Sequence, residues 1–131
     1  MLRHALLYDR DCGFCRWALG WVLRWDRRGA LRPVALQDTE ADELLAGMPA
    51  EQRMASWHLV APTGELRSAG PAAAPLLRLL PGGGPVAALV GRFPGGTERA
   101  YRWVVDHRSV LGRAVTSAAR RRADAMIERR R

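Results

Sequence analysis

At 131 residues the chain is long enough to bury an apolar core without staples, and its length suits one compact domain. The formal charge of +8 comes from 21 basic residues, all of them arginine, which favours anionic partners such as nucleic acid, acidic lipid or an acidic protein. No apolar stretch of 18 residues exists to span a bilayer and no secretory signal is visible, so the cytoplasm is the expected compartment.

His4 to Tyr8 is a short apolar run that ends in Asp9, Arg10 and Asp11, the pattern of a buried strand leaving a sheet. A helix follows. At about 100° per residue, Cys15, Ala18, Leu19, Trp21, Val22 and Trp25 fall on one half of the wheel. Arg16, Gly20, Arg24, Arg27 and Arg28 fall on the other. This predicts an amphipathic helix to about Arg28, stopped by Gly29, with Asp11 as its N-cap, Trp21 and Trp25 in the core, and Trp17 near the polar boundary beside the cysteines. Leu31 to Leu36 reads as a second strand, which makes a βαβ unit with parallel strands and a right-handed crossover.

Thr39 to Met54 is acidic and helix-permissive, with Pro49 splitting it. Trp57 to Ala61 and Glu65 to Ser68 form a hairpin pattern with its turn near Thr63 and Gly64. "PAAAPLLRLLPGGG" predicts a short helix stopped by Pro81, Val86 to Phe93 another, and Glu98 to Arg108 a third with Ala100, Tyr101, Val104 and Val105 at helical spacing. Residues 113 to 131 hold seven arginines against Asp124 and Glu128, and so +5 of the total +8. A solvated helix or frayed terminus is the favoured reading of this tail over contact with nucleic acid or an anionic membrane, because no aromatic interleaving accompanies the arginines.

The element order is that of an α/β, thioredoxin-like domain: β-α-β then β-β-α, a four-stranded mixed sheet flanked by helices, with extra C-terminal helices. The expected organisation is one such domain over residues 1–112 and an Arg-rich C-terminal segment, helical or disordered, over 113–131.

The two cysteines, Cys12 and Cys15, carry the chemistry. Residues i and i+3 in the first turn of a helix lie side by side and can reach disulfide geometry with little backbone movement. Cys12 stands at the helix N-terminus and Cys15 within the apolar face, which suits an exposed attacking thiol and a sheltered resolving one. Asp9, three residues before Cys12, is positioned to exchange a proton with Cys15. A closed zinc site needs four ligands, and His4, His58 and His107 are scattered without ligand spacing, so metal is the least favoured reading and no cofactor is expected.

"YDRDCGFC" contains D-x-x-C-x-x-C as Asp9, Cys12 and Cys15, just after an apolar strand. It resembles the signature of the DCC family of thiol-disulfide oxidoreductases. "ERAYRWVVDHRSVLGR" is similar to that family's second block, a helix with a Tyr and, seven residues on, an Arg, here Tyr101 and Arg108. The resemblance runs from residue 3 to about 113. It implies dithiol chemistry at Cys12 and Cys15 with Asp9 as the third signature residue. The implied partner is a disulfide-containing or dithiol protein or small molecule, with no electron donor specified. One departure from ordinary thioredoxins stands out: the run before Trp57 is Met54-Ala55-Ser56, with no proline at the point where they carry a cis-proline. That absence and the basic tail motivate an alternative, a redox-inactive thioredoxin-like binding module that recruits an acidic partner through its Arg-rich surface.

Overall fold

The computed structural model describes residues 3–131. Its centre is β1 (His4–Tyr8), whose side chains alternate between two buried faces as strand geometry requires. Leu6 and Tyr8 join one apolar cluster with Leu19, Leu23, Leu76 and Ile127, whereas Ala5 and Leu7 join a second with Val34, Ala41 and Leu45. Both faces of the sheet are therefore covered, which explains why β1 reads as a continuous apolar run rather than an alternating one.

Helix α1 (Gly13–Trp25) carries the chain to β2 (Leu31–Ala35), which lies parallel to β1 with His4 opposite Leu31 and Tyr8 opposite Ala35. β3 (His58–Val60) runs antiparallel to β1, and β4 (Leu66–Ser68) antiparallel to β3. The order across the sheet is β2-β1-β3-β4, so Pro33 sits in an edge strand, where its missing N–H disrupts no ladder. The hairpin turn falls where the Thr63-Gly64 pair predicts it: Gly64 has φ +91°, in the left-handed region that favours glycine, and its N–H reaches the Ala61 carbonyl at 2.8 Å. Helices α2 (Thr39–Leu44) and α3 (Ala50–Met54) flank Pro49, as its position predicts.

A 3-10 turn (Gly70–Ala72) leads into α4 (Ala73–Leu79), then α5 (Gly84–Arg92), α6 (Pro94–Ala114) and α7 (Ser117–Arg130). Helix α6 spans 21 residues, far longer than the Glu98 to Arg108 segment read from periodicity. Its start is set by Pro94 in the first turn, where a missing N–H leaves no helix bond unmade. The result is an open mixed α/β sheet flanked by helices, a thioredoxin-like fold with extra C-terminal helices.

Three expectations about α1 and the tail are corrected. The helix ends at Trp25 rather than Arg28, because the wholly buried Asp26 leaves it and accepts from the N–H groups of Ala30 (3.0 Å) and Leu31 (2.9 Å), turning the chain directly into β2. Trp21 is 55% exposed and Trp25 37% exposed, so neither is core; the buried face is Leu19, Gly20 and Leu23. The wheel is turned because α7 lies across α1: a Cβ on Gly20 would stand 2.7 Å from the Ala123 Cβ. The Arg-rich tail is thus a packed helix with Ala123 and Ile127 buried, capped by Thr116, whose hydroxyl accepts from the Ala119 N–H at 3.1 Å. The helical reading holds, with Arg121, Arg122 and Arg129 on its exposed face, but its other face is packed and the end is not frayed.

Candidate functional site

The site lies at the C-terminal end of β1, where the chain turns into α1. The helix is capped by Cys12 itself, which corrects the assignment of that role to Asp11. Cys12 has extended backbone dihedrals, and its Sγ accepts from the Cys15 N–H at 3.3 Å. A sulfur in this position meets the free N–H groups and the positive end of the helix dipole. The Asp11 N–H instead donates to Asp9 Oδ1 at 3.0 Å, within the turn that carries the chain off the strand.

Asp9 is held from a second side. Gln37, just beyond β2, donates from Nε2 to the same Asp9 Oδ1 at 2.8 Å. The carboxylate is fixed by two donors on one oxygen. Gln37 is a site residue that motif reasoning missed, although its place beyond the C-terminal end of the strand parallel to β1 is where α/β sheets build sites.

The two thiols, both free, face different surroundings. Cys15 lines an apolar cavity of about 320 Å³ between the sheet and α6, with Leu19, Trp57, Tyr101, Val105 and Arg108 among its walls. Burial pushes the Cys15 thiol up to about 12; the neighbouring Cys12 side chain and Asp9 act in the same direction, and Arg108 opposes them. Burial also raises Tyr101, against the lowering influence of the Trp57 backbone and the Ser56 side chain. Cys12 lines a separate, open recess of about 410 Å³ walled by charged residues, among them Asp11, Arg108, Arg113 and Arg120. Asp9 and Arg108 belong to the walls of both spaces.

Helix α6 makes this arrangement. Its C-terminal part abuts the start of α1, where a Cβ on Gly112 would make an ordinary van der Waals contact, 3.5 Å, with the Phe14 nitrogen. Tyr101 and Arg108, the Tyr and Arg of the second block, both line the cavity at Cys15. Trp17 is absent from the walls of both spaces and packs between Phe14 and Trp21, at ring-centroid distances of 5.7 and 6.5 Å. Among the described residues no peptide bond is cis, and the segment before β3 contributes Met54, Ser56 and Trp57 to the cavity wall.

A dithiol at a helix N-terminus, beside a fixed carboxylate on a thioredoxin-like sheet, belongs to the thiol-disulfide exchange class of folds. The comparison with family models makes this specific: the chain belongs to the DCC1-like thiol-disulfide oxidoreductase family, whose model matches residues 6–114. Neither the curated proteins nor the solved structures contain a match.

Proposed function

We propose that the protein performs reversible thiol-disulfide exchange, with Cys12 as the attacking thiol, Cys15 as the resolving thiol and Asp9 as the group that moves the proton of Cys15. The observation that carries this reading is the unequal setting of the two sulfurs. Cys12 opens onto a recess walled by charged residues and receives a backbone N–H, whereas Cys15 is held as a neutral thiol in an apolar cavity, pushed up to about 12. Only a thiolate attacks, so the division of labour follows from which sulfur tolerates negative charge.

The sequence of events is two displacements. The Cys12 thiolate forms a bond to one sulfur of a substrate disulfide, and the other sulfur leaves with the electron pair. Cys15 then attacks Cys12, closing the Cys12–Cys15 disulfide and releasing the second substrate thiol. Asp9 receives the Cys15 proton in that step and delivers it in the reverse direction. The partner is a disulfide or dithiol, and a cytoplasmic setting that keeps thiols reduced suits a pair that cycles.

The test is trapping. In Cys15→Ser the resolving sulfur is gone, so a mixed disulfide accumulates on Cys12 and is seen by intact mass after alkylation. If the reduced protein forms neither a mixed nor an internal disulfide under oxidant, the reading fails. Partner binding that survives in a Cys12→Ser, Cys15→Ser double variant would favour the redox-inactive binding module instead.

A further inference from the structure

We infer that the recess at Cys12 is a carboxylate-binding subsite, so that the disulfide substrate is a low-molecular-weight compound carrying carboxylate groups. This rests on the exchange reading above and specifies its substrate class. Arg108 and Arg113 come from α6 and Arg120 from α7, and all three line the same recess as the Cys12 thiol. The last of these lies beyond the residues that the family model matches.

The electrostatics of the recess are incomplete without a ligand. Among the described residues, none of the three arginines forms an ion pair with a carboxylate of this chain, although eight other arginines do. Arg120 Nε is buried with no hydrogen-bond partner, while its Nη2 donates to the Val115 carbonyl at 3.2 Å and its Cδ lies 3.9 Å from the place a Cβ on Gly13 would take. A buried donor without an acceptor is costly, and a guanidinium is matched geometrically by a carboxylate. The two carboxylates in the wall, Asp9 and Asp11, offset only part of the charge of the three guanidiniums and leave the recess net positive. Asp9 has Oδ1 occupied by Gln37 and the Asp11 N–H, and Asp11 accepts only a long hydrogen bond of 3.5 Å from Gln37. At about 410 Å³ the recess is of ligand size, within the usual range of small-molecule sites.

In the reaction the substrate carboxylate pairs with the arginines and brings its disulfide to Cys12. The Cys12 thiolate bonds to the nearer sulfur, the substrate S–S bond breaks, and the first substrate thiolate leaves. Cys15 displaces the second, its proton passing through Asp9. The protein dithiol loses two electrons and the two cysteine protons, and the substrate disulfide becomes two thiols.

The experiment measures single-turnover rates of the reduced full chain at low ionic strength with three probes. They are anionic oxidised glutathione, neutral bis(2-hydroxyethyl) disulfide and cationic cystamine, each rate divided by that of dithiothreitol with the same probe. The expected result is a normalised anionic-to-cationic ratio of about tenfold or more that declines towards 1 in high salt. Arg113→Gln, at an exposed position, and Arg120→Gln each lower the ratio at least threefold. Arg28→Gln, beyond the opposite end of α1, changes net charge equally and leaves it unchanged. A native ratio near 1, or an equal fall in Arg28→Gln, overturns the inference and leaves the exchange reading standing. Failure to react with all three probes also overturns the inference, and the exchange reading falls with it only if oxidant produces no Cys12–Cys15 disulfide either.

Discussion

Arg130, on the last helix, closes on Asp26, the buried residue that ends the first. Its Nη1 lies 3.0 Å from Asp26 Oδ2, and its Nη2 donates to the Asp26 carbonyl at 2.6 Å and to the Leu23 carbonyl at 3.0 Å. One guanidinium thereby satisfies two carbonyls at the C-terminal end of α1 and a carboxylate with no solvent access.

Removing that guanidinium leaves Asp26 buried with only its two backbone donors, Ala30 and Leu31. Breaking a buried pair in this way is expected to cost about 3 kcal/mol, and the Arg130→Met variant should lose about that much in urea unfolding. Pairing it with Asp26→Asn tests the cause: the two losses are expected to be far from additive, whereas simple addition would show that Arg130 acts through packing alone.

Gly20 is the point of closest approach between α1 and α7. Replacing it by alanine improves helix propensity by about 1 kcal/mol. Against this, the new Cβ would meet the Ala123 Cβ at 2.7 Å and the Ala123 Cα at 2.8 Å, and overpacking of that kind costs about 1–3 kcal/mol. The overlap is with backbone and cannot be relieved by rotating a side chain, so it wins: Gly20→Ala lowers stability and Gly20→Val lowers it further. Adding Ala123→Gly rescues only in part, because the overlap with the backbone of residue 123 stays. A more stable Gly20→Ala protein in thermal melts would mean that α7 does not pack here.

The unequal thiols predict unequal chemistry. With Cys15 held near 12, alkylation by iodoacetamide at pH 8 should fall almost wholly on Cys12. In a Cys12→Ser variant the raising influence of Cys12 is removed but burial remains, so Cys15 is still expected to react slowly at that pH. Equal labelling on peptide mapping would remove the basis for assigning the two roles.

Asp9→Asn separates the two displacements. On the proposed mechanism only the second displacement uses the carboxylate, so the mixed disulfide on Cys12 should persist about 10²-fold longer in rapid-quench mass analysis. Gln37→Ala, which frees the carboxylate without removing it, is expected to produce a smaller delay. A delay in forming the mixed disulfide, with normal resolution, would place Asp9 in the wrong step.

His58 ties acid stability to the sheet. It is 1% exposed, with Nε2 2.9 Å from the Arg53 carbonyl and Nδ1 2.6 Å from the Ser68 hydroxyl. A carbonyl only accepts, so Nε2 carries the hydrogen and Nδ1 accepts from Ser68, the neutral tautomer. Burial holds the imidazole below its ordinary value of 6.5. The unfolded chain therefore binds a proton before the folded one does, and stability falls as pH drops below about 6.5, levelling off beneath the lowered folded value. In unfolding free energies measured from pH 7.5 to 5, His58→Gln should flatten that slope; an unchanged slope would assign it to other groups.

Much of this architecture is legible along the chain. The apolar run at β1, the Thr63-Gly64 turn, the break at Pro49 and the place of Cys12 and Cys15 after a strand all follow from local rules. Those rules compare residues within a turn or two of one another. They misjudge α1 because its orientation depends on α7, at the far end of the chain from Gly20: a glycine that reads as polar-face filler is the groove for Ala123, and two tryptophans that read as core are exposed.

By itself, then, the sequence determined the strand and helix order, the paired thiols and the carboxylate at Asp9, because periodicity and turn chemistry are short-range. The helix wheel also marked Cys15 as the sheltered sulfur; only the tertiary structure decided what encloses it, that Gln37 anchors Asp9, and that Arg120 of α7 shares a recess with Cys12. The Gln37 contact comes from the parallel pairing of β1 with β2, and the other two relations from the packing of α6 and α7 onto α1; burial, which sets both the thiol's protonation and the need of an arginine for a partner, exists only once those helices have closed.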